Sequence, residues 1–96
     1  MKAADTLYLG HLFMKRFGDF ESAILHLTTT WEEAKNPIQI AKLAYEIYLD
    51  FGTIISDEAL EVVESLMIME ADDNFILPNN EIEVLLLKLR KCKQTI

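Results

Sequence analysis

The residues that could do chemistry in this chain are few and scattered. A catalytic site needs a nucleophile beside its base, two carboxylates in an apolar cleft, or a glycine-rich phosphate loop, and none of these is visible. His11 and His26 have neither a cysteine partner nor a close carboxylate pattern for zinc. Cys92 is the only cysteine, so an intramolecular disulfide and a cysteine metal cluster are excluded. The sequence therefore predicts a protein that is not an enzyme and has no cofactor.

One segment has the spacing of a metal site. Residues 70–81 are expected to form a loop, because Pro78 and the asparagine pair after it interrupt helices. Phe75 stands where the sharp turn of a calcium loop requires glycine. We therefore predict no metal site, and a calcium-responsive regulator remains an alternative. The oxygen-bearing side chains at the first, third, fifth and twelfth positions are Glu70, Asp72, Asn74 and Glu81.

Acidic residues form a block in the second half of the chain. A solvated helix face is the plain interpretation, and an acidic surface that neutralises a basic toxin or nuclease, as an immunity protein does, is the alternative. The net charge of −7 argues against nucleic acid and anionic membranes as partners, since both bind chiefly through Lys and Arg. The candidate acidic face consists of Asp57, Glu58, Glu61 and Glu64.

Apolar residues recur at helical spacing along most of the chain, which predicts an all-α fold in one domain over residues 1–96. Asp19 and Ser56 suit helix N-termini, and Pro37 suits a first turn. Gly18 and Gly52 suit helix ends. Because the joins are short, neighbouring helices should form antiparallel hairpins. We expect about five helices, arranged as one hairpin over 2–34, a second over 37–70, and a capping helix over 81–93.

The pattern of residues 9–18 returns thirty-four positions later, which is typical of stacked helical hairpins. The matching pairs include Leu9 with Leu43 and Gly18 with Gly52. Together with the segment that follows it, residues 18–24, this pattern makes the first hairpin resemble a tetratricopeptide repeat. The second hairpin is a looser copy, because its turn is expanded. The resemblance covers about residues 4–69 and implies a scaffold that binds another protein.

A chain with two such hairpins and a capping helix is also similar in size to the small chaperones of type III secretion needle subunits. Those chaperones cradle an amphipathic helix of the secreted subunit and stop it polymerising before export. This resemblance implies a cytoplasmic chaperone. It also implies, as an alternative to a single chain, a hetero-oligomer with a second small chaperone. The N-terminus lacks an apolar signal core and no run is long enough for a membrane helix, so an intracellular location is expected.

A partner groove is expected on the first and third predicted helices, which are apolar on two faces. A second apolar face needs either a ligand or a buried neighbour. One interpretation is a groove for an amphipathic helix, with Tyr45 and Tyr48 as anchors. The other is that the last helix folds back and covers this face. The candidate groove residues are Leu7, His11, Met14, Ile38, Ala41, Tyr45 and Tyr48.

Overall fold

A computed structural model describes residues 17–92 of the chain, and this range is all-α. No strand occurs within it. Apart from Phe17, the predicted helix over 2–17 lies outside the described residues, and so do the groove candidates Leu7, His11 and Met14. The four α-helices are α1 (Phe20–Ala34), α2 (Pro37–Phe51), α3 (Asp57–Met67) and α4 (Asn79–Lys91), with 3-10 helices at Ile68–Glu70 and Asp73–Phe75.

The first three helices begin where local capping signals predicted. The Asp19 carboxylate accepts a hydrogen bond from the Ser22 backbone N–H at 2.8 Å, and this bond lowers the pKa of Asp19. The Asn36 side chain accepts from two backbone N–H groups of α2, whose first residue is Pro37. The Ser56 hydroxyl caps α3 at 3.1 Å from the Ala59 nitrogen. These bonds satisfy donors that a helix start would otherwise leave unpaired.

The connection between α3 and α4 differs from the expected loop over 70–80. It contains two short 3-10 helices, and α4 begins at Asn79 and ends at Lys91 instead of spanning 81–93. The Pro78 carbonyl accepts hydrogen bonds from the Glu81 and Ile82 nitrogens at 3.0 and 3.1 Å. The asparagines therefore form the first turn of α4 and do not interrupt it, since helix propensity is only a weak preference.

The four helices share one core. α2 packs against α1 and α3, and α4 packs against α3 and returns to α1. Each helix contributes apolar side chains with almost no exposure, and their close packing fixes the helices relative to one another. None of the described helices is both long and apolar enough to cross a membrane. The largest of the fully buried side chains are Trp31, Phe20, Phe51, Leu27, Ile40, Ile47, Leu66, Met69, Ile82, Leu89 and Val63.

A polar cluster joins α1 to α4 at the edge of this core. Trp31 is buried, and its indole Nε1–H donates to Glu83 Oε2 at 3.1 Å. Lys35 Nζ lies 3.2 Å from the same oxygen and 5.3 Å from the centre of the Trp31 ring. These hydrogen bonds, first from Trp31 and then from Lys35, lower the pKa of the Glu83 carboxyl. Glu83 thus provides the indole of a buried tryptophan with an acceptor.

Candidate functional site

The outer face of α2 carries an apolar stripe that no described element covers. Tyr45, Tyr48 and Leu49 are 48%, 36% and 41% exposed, and their spacing of three and four residues puts them on one side of the helix. The opposite side of α2 is buried through residues such as Ile40 and Ile47. We call Tyr45, Tyr48 and Leu49 the tyrosine face. It presents two aromatic rings and one aliphatic side chain to solvent.

Two other groove candidates lie on α2, and the structure places them differently. Ile38 is half-buried at the start of the helix. Ala41 is fully buried, so its place in the predicted groove is corrected: it belongs to the core. Ala41 and Tyr48 point in similar directions, seven residues apart along the helix. Ala41 has no exposed surface, whereas Tyr48 is 36% exposed.

The last helix does not cover the tyrosine face. α4 packs against α3 and α1, and the rings of Tyr45 and Tyr48 stay exposed. Of the two interpretations of this apolar surface, burial under the C-terminal helix is therefore wrong for the part that lies on α2.

The acidic face of α3 is exposed along its length. Asp57, Glu58, Glu61 and Glu64 are all exposed, and none forms a salt bridge with another residue of the range 17–92. Asp57 and Glu58 lie in the first turn, where the helix dipole favours negative charge. The four carboxylates thus leave a negative surface beside the core.

Sequence patterns alone did not indicate a second apolar surface, which lies between α3 and α4. It is an open groove with a volume of about 560 Å³. Phe75 and Ile68 are 47% and 42% exposed here, and Val84 of α4 is 55% exposed. The signal in the sequence is a run of three apolar residues, Phe75, Ile76 and Leu77, that follows the acidic residues of the same loop. We call this surface the α3–α4 groove; its lining consists of Ser65, Ile68, Asn74, Phe75, Leu77, Glu81, Val84, Leu85 and Lys88.

The segment with calcium-like spacing has a local structural role. The Asp72 carboxylate accepts a hydrogen bond from the Asn74 backbone N–H at 2.7 Å and so caps the 3-10 helix Asp73–Phe75. Within residues 17–92, no group of three or more His, Cys, Asp or Glu side chains is arranged to hold a metal ion. Asp72 therefore shapes the loop that carries Phe75.

Two further residues are singled out by their chemistry, His26 within α1 and Cys92 just after α4. The ring centre of His26 is 5.5 Å from that of Phe17. Burial raises the pKa of the Cys92 thiol, and the nearby Glu58 carboxylate raises it further. A raised thiol pKa keeps Cys92 protonated at neutral pH, where it is a weak nucleophile.

Comparisons with protein-family models, with curated proteins and with solved structures gave no match to this chain. Three surfaces of the described residues are therefore the candidates for binding a partner. They are the tyrosine face of α2, the acidic face of α3, and the α3–α4 groove.

Proposed function

We propose that this protein is a small protein-binding chaperone or adaptor that sequesters an amphipathic helical segment of a partner protein. The observation that carries the proposal is the tyrosine face, where Tyr45, Tyr48 and Leu49 are exposed on one side of a helix whose other side is core. Burying these side chains against an apolar helix stripe would stabilise the complex. A partner held in this way is drawn away from its own self-assembly by mass action.

The residue types on this face suit such a role. Tyrosine supplies a large contact area, and its hydroxyl is compatible with both water and an interface. Tyrosine is also enriched among the residues that dominate binding energy. The i, i+3, i+4 spacing matches the way one helix lies along another.

The proposal includes a tetratricopeptide-like architecture and, as its most specific form, a type III secretion chaperone in the cytoplasm. Residues 2–34 would form the first hairpin and 37–70 the second, with α4 as the capping helix. The thirty-four-residue pattern supports this arrangement, as does the order of α1, α2 and α3. Leu7, His11 and Met14 would then extend the binding surface beyond the tyrosine face. A second small chaperone is the expected additional subunit.

The test is affinity purification of the tagged chain from its native cell beside the Tyr45→Glu/Tyr48→Glu variant. We expect the variant to keep its helical circular dichroism and to lose a helical, self-assembling partner. A charge at an exposed interface anchor typically costs more than about 1 kcal/mol of binding energy, or roughly tenfold in Kd. Leu25→Glu is the matched control, because Leu25 is 66% exposed on α1. Loss of helicity in the tyrosine variant, or a partner retained by it, would contradict the proposal.

A second candidate function is an acidic immunity or inhibitor protein that acts through α3. The observation in its favour is that Asp57, Glu58, Glu61 and Glu64 are exposed without a described salt-bridge partner. Association driven by such charges weakens steeply with salt, whereas apolar burial does not. A basic partner that survives the tyrosine substitutions, but is released by salt and by Glu61→Lys/Glu64→Lys, would establish this function instead.

A further inference from the structure

The α3–α4 groove is a second surface suited to a helix. Its apolar lining comes from two sides, with Ile68 and Phe75 following α3 and Val84 and Leu85 on α4. Three of these side chains, Ile68, Phe75 and Val84, are between 42% and 55% exposed. Contiguous apolar exposure of this kind marks interaction sites in monomeric proteins.

The dimensions of the groove match a short helical segment. Along α4 the lining runs from Glu81 through Val84 and Leu85 to Lys88, which is about 10 Å of helix axis, or two turns. An occupant helix would therefore present apolar residues at i, i+3 or i+4, and i+7. The volume of about 560 Å³ accommodates several aliphatic side chains.

The charges around the groove determine which kind of helix it can bind. Glu81 is part of the lining, and Asp72 and Asp73 directly precede the lining residues Asn74 and Phe75. On α3, Glu61 lies one turn before the lining residue Ser65, whose hydroxyl donates to the Glu61 carbonyl at 2.9 Å. Glu64 lies one turn before Ile68. Lys88 is the single basic side chain in the lining, and Lys91 lies one turn beyond it on the same helix. The rim is therefore predominantly negative.

We infer that the α3–α4 groove binds a basic amphipathic helix, with an apolar stripe for the groove and Lys or Arg on the flanks. The aliphatic side chains would bury against Phe75 and Val84. The basic flanks would face the carboxylates of α3 and of the 3-10 segment. This inference concerns a surface separate from the tyrosine face, so either can be wrong without the other.

The probe is a fluorescein-labelled peptide of about 14 residues, near the minimum length for an isolated helix. Its leucines repeat at i, i+3, i+4 and i+7, and lysines occupy both flanks. One comparison peptide replaces every lysine by glutamate, and another has the same composition in scrambled order. Fluorescence anisotropy measures the Kd for the full-length chain at low and at physiological salt.

The diagnostic variant is Phe75→Ser/Val84→Ser, which removes apolar area without changing charge. The matched control is Leu25→Ser/Leu87→Ser, because these two leucines are 66% and 55% exposed and lie outside the groove. We expect the diagnostic variant to bind the basic peptide at least roughly tenfold more weakly, with circular dichroism unchanged. The control and the Tyr45→Glu/Tyr48→Glu variant should bind as the wild type does, and salt should weaken binding in all of them.

Four results would overturn the inference. They are equal affinity for the glutamate peptide, equal affinity for the scrambled peptide, equal loss of binding in the control variant, and no binding at peptide concentrations of about 1 mM. Sedimentation velocity of the chain alone adds a fifth. A dimer that disappears in Phe75→Ser/Val84→Ser would make a second copy of this chain the occupant in place of a basic helix.

Discussion

Gly52 follows the last residue of α2 and allows a close backbone contact there. Its φ of −58° is in the ordinary right-handed region, so a left-handed conformation is not the reason for glycine here. The Gly52 N–H donates to the Tyr48 carbonyl at 2.8 Å. A Cβ on residue 52 would lie 2.5 Å from that same oxygen. The sequence predicted a helix stop at Gly52, α2 ends at Phe51, and the close contact accounts for glycine at position 52.

Gly52→Ala should therefore destabilise the protein by about 1–3 kcal/mol, the range of substitutions that force a backbone shift in a packed region. Urea unfolding followed by circular dichroism measures the effect. Gly18→Ala is the matched control, because a Cβ at Gly18 meets no atom within 4 Å. Equal stability of the two variants would show that the end of α2 relaxes without cost.

The helices whose bounds agreed with the sequence prediction are those defined by local signals. Asp19 and Ser56 each cap a helix through a side chain three residues from its partner, and Asn36 with Pro37 marks the start of α2. Such signals can be read without knowing the fold. The start of α4 lacks a side-chain capping signal. The backbone carbonyl of Pro78 accepts the first hydrogen bonds of this helix, and no side chain caps it.

The surfaces were harder to predict because they depend on contacts between elements. The repeat pattern placed Tyr45 and Tyr48 on an apolar face, and both are exposed, but it also placed Ala41 there. The α3–α4 groove exists only because two helices and a 3-10 turn meet, and sequence periodicity describes one helix at a time. Exposed apolar residues in a loop, such as Phe75, were the only local indication of it.

At the scale of elements, Glu83 connects α4 to α1 through Trp31 and Lys35. Its pKa is lowered in the folded state, so folding favours the ionised carboxylate. The stability contributed by this carboxylate is present above the pKa of the unfolded chain, about 4.3 for Glu. It is lost as the pH falls through the lower folded-state pKa.

We therefore expect Glu83→Gln to lower Tm at pH 7 and to reduce the drop in Tm between neutral pH and about pH 3. Thermal melts at several pH values measure both effects. Glu64→Gln, on the exposed face of α3, should change neither. A Glu83→Gln variant with the acid sensitivity of the wild type would mean that the ionised carboxylate stabilises the fold no more than its neutral form does.

At the scale of the whole molecule, the four described helices form a closed set of contacts. α4 meets both its neighbour α3 and the distant α1, so no helix can leave without exposing the shared core. A core of this size gives marginal stability, about 5–15 kcal/mol for a typical domain. Cooperative loss of all four helices is therefore expected in place of stepwise fraying.

Trp31 makes this cooperativity measurable, because it is the only tryptophan and lies where α1 meets α4. Its fluorescence reports that junction, whereas far-ultraviolet circular dichroism reports every helix, so the two urea transitions should coincide. Leu66→Ala, at a fully buried position of α3, should lower the free energy of unfolding by about 2–5 kcal/mol. Both urea midpoints should then move together to lower concentration. The exposed substitution Thr29→Ala on α1 should leave both nearly unchanged. If the fluorescence transition stayed in place while circular dichroism shifted, α1 and α4 would unfold apart from α3, because the tryptophan environment would then be independent of the core that Leu66 fills.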